Sequence, residues 1–585
     1  MTDYTAPLPE IDFLLHEVLR ISESDIPGYD ALDRDTTSAI HTEAARLAET
    51  ILAPLNATGD TTGCRFEGGQ VTTPKGFTDA FGRLASGGWI GLDCAEEHGG
   101  QGMPYLLNCT TGEMFVAANM ALNMYQGLTH AAISALATHA APELRARWLP
   151  PLVAGRWAGT MNLTEPQCGT DLGLIRSRAE PQQDGSYHLT GQKIWISGGE
   201  HDLTENILHL VLARLPEAPE GTRGLSLFLV PKFLLTPEGT LGPRNAVTCT
   251  GIERKMGIHG AATCTMAYEG ATGWLVGEPH QGLRAMFTMM NEARIGVGLQ
   301  GYAVASRAHQ AATAFARSRL QGRAVTGPAN PSGPADPILV HPDVRRALMD
   351  QRAFVMGARA LVFWAATLID RAHRAQDTEA AALAALLTPI VKAFLTDQGF
   401  ATCVSAQQIA GGMGYIQGAG FEQFTRDARI AMIYEGTNGV QALDLVARKL
   451  GAQGGAATRA FLTLLETEAR TAPADFATPL ATATQDLQTA LATLMARMQQ
   501  PETALAGAHD MLHLMGHTAL GLMWARIARA ATEALAASRG DPAFLTATLT
   551  TGRHYMRWHL PATGLHLARL RDGAETVMEL PEAAF

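Results

Sequence analysis

Residues 433–438 read Ile433-Tyr434-Glu435-Gly436-Thr437-Asn438 and leave one carboxylate between a long apolar helical pattern and the start of a further helix. A glutamate between an aromatic ring and a glycine, followed by hydroxyl and amide capping residues, has the form of a poised general base. The same six residues also fit an ordinary interhelical turn. The surrounding chain has to decide between the two.

Working outward, residues 284–450 carry long apolar helical periodicity broken by one loop of turn formers, Gly327-Pro328-Ala329-Asn330-Pro331-Ser332-Gly333-Pro334. Gly451-Ala452-Gln453-Gly454-Gly455 predicts a linker, and the remainder of 451–585 is Ala/Leu/Thr-rich and helical. Upstream, 161–283 has a different texture. Tyr187–Thr190, Lys193–Ser197, Ile207–Ala213 and Leu225–Val230 are short β-prone runs between Gly, Pro and charged turns, which predicts a small antiparallel sheet domain. Residues 1–160 contain helical stretches such as Asp35–Leu52 and Glu113–Thr138, punctuated by Gly87-Gly88 and Gly99-Gly100. The expected fold is α+β and mostly α. It has an N-terminal helical domain (1–160), a middle antiparallel β domain (161–283), a helical bundle (284–450) and an extra C-terminal helical domain (451–585).

The 585 residues exceed a single core, and 46% hydrophobic with 17% charged residues is a globular composition with material for buried ligand pockets. A net charge of -11 argues against a general nucleic-acid or anionic-membrane surface. The opening MTDYTAPLPEIDFLLHEVL places acids and prolines where a secretory signal carries a basic and then an apolar segment. No run approaches the roughly 18 apolar residues of a spanning helix. The seven cysteines are scattered and never form C-x-x-C, so reduced thiols in a cytoplasmic protein are expected, without a disulfide framework or a zinc site.

Some motifs are better read as packing. Gly296-Val297-Gly298-Leu299-Gln300-Gly301 spells G-x-G-x-x-G but lies inside a helical pattern from about Leu283 to Arg317, without the strand that a dinucleotide fingerprint needs. Its glycines predict close helix packing. His509, His513 and His517 share a helix face at i, i+4, i+8, yet no carboxylate or cysteine partner is evident on that face, so no metal is expected. Three Asn-x-Thr sequons, at Asn56, Asn108 and Asn162, have no meaning without secretion.

Two segments of the middle block carry chemistry. Met161-Asn162-Leu163-Thr164-Glu165-Pro166-Gln167-Cys168-Gly169-Thr170-Asp171 ends a helical region and enters the sheet, offering main-chain amides, hydroxyls and a glycine for close backbone approach. Lys193-Ile194-Trp195-Ile196-Ser197-Gly198-Gly199 reads as a strand that ends in a hydroxyl beside a flat indole. Such a pair suits an isoalloxazine ring, although a strand tryptophan is more often core.

These pieces, together with Gly91–Gly100, Lys255-Met256-Gly257, Gln408–Tyr415, Arg426-Asp427-Ala428-Arg429 and the Tyr-Glu-Gly-Thr run, occur in one order. In that order residues 1 to about 450 resemble the acyl-CoA dehydrogenase family of flavoproteins. The resemblance implies a helical, a β and a second helical domain, with FAD and an acyl-CoA meeting between them. It places the base on Glu435, which removes the α-proton of the thioester while the β-hydrogen leaves as hydride to the flavin. FAD contacts are implied for Met161, Leu163, Thr164, Gly169, Thr170, Trp195, Ile196, Ser197 and Thr437. Arg319, Gln408, Gly411 and Gly412 match positions holding the adenine and pyrophosphate end of a partner subunit's FAD, which implies a homodimer. Substrate contacts are implied for Thr170, Asn291, Arg294, Tyr434 and Gly436, and electron-transfer flavoprotein is the implied acceptor.

Departures from the family pattern are few. Thr170 stands where Ser is more usual and Ser197 where Thr is, both keeping the hydroxyl; Gly198 replaces a common Asn and Gly439 a Gln. In some relatives the base comes from the helix carrying Arg294, but that position here is Ala293, with Glu292 about 100° round the helix. Lys255–Gly260, Met286–Asn291, Arg319–Arg323 and the extra C-terminal unit resemble a long bacterial subgroup. Its members act on 3-methylthiopropanoyl-CoA, from dimethylsulfoniopropionate breakdown, or on fatty acyl-CoAs; the sulfur substrate is favoured here. Acyl-CoA oxidases share base and cofactor and remain an alternative. A DNA-binding branch of the fold has a basic C-terminal domain, whereas residues 451–585 hold ten Arg, no Lys and twelve Asp plus Glu.

Overall fold

The β-prone runs of the middle segment assemble into one seven-stranded sheet. The structure, a computed structural model, describes residues 4–585. The strands are β1 (Trp157–Asn162), β2 (Arg178–Pro181), β3 (Tyr187–Ser197), β4 (Asn206–Arg214), β5 (Leu225–Pro231), β6 (Val247–Ile252) and β7 (Thr263–Val276). The long β7 pairs antiparallel with β6 and β3, and its last residues pair with β5. β1, however, runs parallel to β4, from Trp157↔Asn206 to Asn162↔Val211. The sheet is therefore mixed, not purely antiparallel as the runs predicted. β2 and β3 lie between these two strands in sequence, and such an intervening connection permits a parallel pair that no tight hairpin could close. Met161 and Asn162 are correspondingly the end of a strand and not the end of a helical region.

Burial follows pairing. Every residue of β5 is buried, the continuous apolar run of a strand covered on both faces, whereas β7 alternates buried and half-buried side chains along most of its length. The core of this region gathers Leu189, Ile196, Val211, Phe228, Val230 and Tyr268. Val71 joins them from a short hairpin, Arg65–Glu67 with Gln70–Thr72, that the helical reading of residues 1–160 did not anticipate. Its two-residue turn is Gly68-Gly69, at φ of 56° and 81°, where a side chain would be strained.

By proximity along the fold the chain divides into two units. One comprises the chain up to Arg46, Cys109–Ala117 and Arg294–Phe585; the other comprises Leu47–Asn108 and Ala118–Ala293, including the sheet. In the first unit the helices Pro342–Arg374 and Thr378–Ile409 pack on each other. Asp377 caps the second by accepting from the amides of Glu379 and Ala380 at 2.9 and 3.0 Å. Both helices have windows apolar enough to cross a membrane although neither window is an unbroken apolar run; 83% and 72% of those windows are buried inside the fold. Gly296–Gly301 lies within the helix Gly282–Ser318, as its periodicity predicts. A Cβ on Gly298 or Gly301 would stand 2.6 or 2.7 Å from the carbonyl oxygen of Val391 or Leu395, so these glycines set the helix contact.

The first unit also encloses a charge cluster. Arg359 and Glu113 are fully buried and pair at 2.6 Å; the Tyr302 hydroxyl donates to Glu113 at 3.0 Å, and Glu10 takes a further Arg359 N–H. The 327–334 loop wraps a buried carboxylate in the same way. Asp336 accepts amides from Ala324, Ala329 and Asn330 at 2.7–3.0 Å.

Candidate active site

Glu435 sits on the irregular link between a helical turn, Ile430–Met432, and the helix Asn438–Asp444, which Thr437 caps by accepting from the Val440 amide at 3.3 Å. Its backbone is left-handed, φ 56°, a conformation that costs a non-glycine residue roughly 1–2 kcal/mol. Gly436 follows at φ 83°, and a Cβ there would come within 2.9 Å of Gln441 Nε2. The surroundings hold this turn at nearly every oxygen. The Glu435 carbonyl accepts from Gln441 Nε2 at 3.1 Å and Arg294 Nε at 3.3 Å, and the Gly436 carbonyl accepts from Lys392 Nζ at 2.8 Å. The Tyr434 hydroxyl donates to Gln300. Lys392 also donates to Asn438 Oδ1 at 2.7 Å, and Asn438 Nδ2 donates to Thr396 and Asp397 at 2.9 and 2.7 Å.

Electrostatics follow from this enclosure. Burial raises the Glu435 carboxyl to about 7, outweighing the opposite pull of Arg294 and Lys392. Burial brings the Lys392 ammonium down to about 7, although Glu435 and Asp397 favour its charge. A carboxyl that titrates near neutrality, on a backbone held in a strained well by two cationic side chains and a glutamine, is equipped to take a proton from a weak carbon acid. Of the residues expected here, Arg294, Tyr434, Gly436 and Thr437 all gather around Glu435. Lys392 was missed. Its signal was a lone lysine inside the apolar run Thr388–Leu395, where an uncompensated charge needs a partner.

In the second unit the two middle segments meet edge to edge. Ile194 N–H donates to the Thr164 carbonyl at 2.9 Å, and the buried Lys193 ammonium donates to the Leu163 carbonyl at 3.0 Å and to Glu165 at 2.8 Å. Burial alone would raise Glu165, but Lys193, Ser177 and the Arg176 amide hold it near 2. β3 carries a bulge at this point: its register against β7 shifts between Lys193↔Met266 and Ile196↔Cys264, so two residues face one. The bulge puts Trp195 at φ 60° and turns its indole outward, 61% exposed, when the regular alternation would bury or pair it. Met161, Leu163, Thr164 and Ser197 are half-buried around the same two segments, and Gly169 and Thr170 are exposed. An outward-facing flat ring beside two hydroxyls fits the flavin expected there. Ile196 fits differently: its side chain is in the core at 2% exposure, so only its main chain is available to a cofactor.

The remaining positions are spread more widely. Asn291 is exposed in the second unit. Glu292 pairs with His130, whose Nε2 lies 2.6 Å from Asp93, so this carboxylate is already engaged. Arg319, Gln408, Gly411 and Gly412 are exposed in the first unit.

Comparison with known proteins covers the chain from end to end. Residues 34–156, 160–271 and 280–451 match the N-terminal, middle and C-terminal domains of acyl-CoA dehydrogenase, and 456–581 match an acetyl-CoA dehydrogenase C-terminal-like domain. A 3-methylmercaptopropionyl-CoA dehydrogenase of Ruegeria pomeroyi is 40% identical over 98% of this chain and 99% of its own. A broad-specificity linear acyl-CoA dehydrogenase of Mycobacterium tuberculosis is 34% identical over the whole of both chains. Among solved structures, Caenorhabditis elegans ACDH-11 in complex with C11-CoA superposes with a TM-score of 0.77 over 99% of this chain and 97% of its own, at 18% identity, a likeness of fold alone.

Proposed function

The chain belongs to the acyl-CoA dehydrogenase family, and from that premise we propose that it converts 3-(methylthio)propanoyl-CoA to 3-(methylthio)acryloyl-CoA, with Glu435 as the α-proton base. The observation that carries the catalytic reading is the state of Glu435, pinned in the left-handed region with its carboxyl brought to about 7. An α-proton next to a thioester is far too weakly acidic for a free carboxylate. A buried site narrows the gap by strengthening the base and by supplying preorganised donors to the carbonyl oxygen as it gains charge. Arg294 holds the carbonyl of the base itself and Lys392 the carbonyl of Gly436 directly after it, so the carboxylate stands on a fixed turn as the proton moves. The pairing of Glu292 with His130 supports Glu435 over it as the base.

The family is one of flavoproteins, and FAD is the form we assign here. Met161, Leu163, Thr164, Gly169, Thr170, Trp195, Ser197 and the Ile196 main chain would hold its ring end, with the exposed indole as the stacking face. When bound, the flavin supplies the acceptor for the β-hydrogen, which leaves as hydride. Arg319, Gln408, Gly411 and Gly412 serve a second subunit's FAD in a homodimer, a reading supported by the neighbouring exposed apolar side chains Met413, Tyr415 and Ile416. Asn291 and Arg294 serve the CoA, Thr437 the cofactor, and electron-transfer flavoprotein takes the electrons. The spans matched to the family support domain boundaries near 160, 283 and 450. The free thiols of all seven cysteines suit the cytoplasm.

The methylthio substrate rests on the Ruegeria relative, and the Mycobacterium relative supports a linear acyl chain instead. A panel of acyl-CoA thioesters, assayed with a dye acceptor and for peroxide, decides between them. The methylthio compound is expected to give the highest kcat/KM. A higher value for butanoyl-CoA or a longer chain overturns the substrate, and rapid peroxide release overturns the dehydrogenase.

A further inference from the structure

The helix Ala508–Ala536 carries His513 and His517 one turn apart, both buried, and the helix Ala562–Asp572 brings the buried His566 against them. The ring centres of His513 and His566 lie 5.4 Å apart and those of His517 and His566 5.8 Å apart. One nitrogen from each of the three rings lies within 4.8 Å of the other two. A tetrahedral ion with nitrogen ligands at about 2.0–2.1 Å would place two ligand ring centres about 5 Å apart, so small rotations would close the gap.

Each ring also has one nitrogen engaged. His513 Nε2–H donates to Asp397 at 2.9 Å, His566 Nδ1–H donates to Asp510 at 2.7 Å, and His517 Nδ1–H donates to the Tyr555 hydroxyl at 3.3 Å. Tyr555 in turn donates to the His517 carbonyl at 3.2 Å. Histidines that ligate a metal are oriented in this way, by a carboxylate or hydroxyl on the far nitrogen. Asp397 lies 116 residues from His513 and Asp510 lies 56 residues from His566, so both pairings are made by the packing of the helices.

We propose that His513 Nδ1, His517 Nε2 and His566 Nε2 form a binding site for a transition-metal dication of the zinc class. Three imidazoles and no carboxylate in the inner set select Zn²⁺, Co²⁺ or Ni²⁺ over Mg²⁺ and Ca²⁺, which take oxygen. The ion ties the last helices to one another. Through His513 and Asp397 it also connects to Asn438, which Asp397 holds at 2.7 Å beside the Glu435 turn.

The test uses the full-length flavoprotein, stripped with a chelator and dialysed against micromolar Zn²⁺, with bound metal measured by elemental mass spectrometry. One zinc per chain is expected in the wild type, with a raised melting temperature, and also in His554→Ala. That variant disrupts the separate half-buried cluster of Asp350, His554 and His559. The double variant His517→Ala/His566→Ala is expected to lose both the zinc and the shift. No stoichiometric zinc in the wild type, or loss only in His554→Ala, overturns the proposal. If the double variant does not retain flavin, Co²⁺ loaded into the wild type decides. Ligand-field bands of a four-coordinate nitrogen site support the proposal, and the weak bands of six-coordinate Co²⁺ sink it.

Discussion

Lys392 Nζ donates to the carbonyl oxygen of Gly436 at 2.8 Å, so a fully buried lysine on one helix fixes the residue directly after the proposed base. Lys392→Met removes that donor and leaves the Gly436 carbonyl and Asn438 Oδ1 without it. An abandoned buried acceptor costs about 1–3 kcal/mol, roughly 5- to 150-fold if the loss falls on the transition state. Turnover with a dye acceptor is expected to fall by that factor while flavin absorbance stays unchanged. Unaltered kcat would show that the turn holds without the lysine.

Glu435→Gln keeps the size of the side chain and removes the base. Flavin content and acyl-CoA binding are expected to persist, with turnover reduced at least about 10²- to 10⁴-fold, the contribution of a positioned base. Near-normal turnover would move the base elsewhere.

The free carboxyl titrates near 7, raised by burial, and only its ionised form takes a proton. The sign follows directly: kcat/KM rises with pH through about 7 and flattens above it. Because the Lys392 charge favours ionisation of Glu435, the acid limb in Lys392→Met moves to higher pH. A limb near 4.5 in the wild type would mean that the site does not desolvate its base.

Glu165 accepts from Lys193, Ser177 and the Arg176 amide, and Lys193 also donates to the Leu163 carbonyl, so this carboxylate backs the tie between the two middle segments. Its folded value near 2 lies below the ordinary value of 4.5, so its stabilisation is present above 4.5 and is lost as pH falls toward 2. Glu165→Ala leaves the buried lysine without its carboxylate, with the Leu163 carbonyl as its remaining acceptor. The purified variant is expected to carry less flavin, read as the ratio of visible to ultraviolet absorbance, and to melt earlier. Full flavin content would detach this pair from the cofactor.

Glu113→Ala leaves the Arg359 guanidinium buried with the Glu10 carboxylate and the Ser306 hydroxyl as its acceptors. Breaking such a pair costs about 3–5 kcal/mol, and a melting temperature lowered by several degrees is expected in differential scanning calorimetry. A shift of under a degree would show that Glu10 or water replaces the partner.

Residue order alone determined much of this protein. Helical periodicity located Gly282–Ser318 almost to its ends, and the short β-prone runs between Gly, Pro and charged turns located β3, β4 and β5. The Tyr-Glu-Gly-Thr run singled out Glu435, because a carboxylate beside a glycine at a helix start is a local signal. Contacts between distant segments were not local. The parallel pairing of β1 with β4, the outward turn of Trp195 at a bulge, the lysine under Gly436 and the carboxylates behind His513 and His566 each join positions far apart in the chain. No periodicity encodes them, because register and burial are settled only when the elements pack. The sequence singled out the proposed base; the tertiary structure decided its backbone strain, its two cationic neighbours and a carboxyl that titrates near 7, since desolvation is a property of the packed fold.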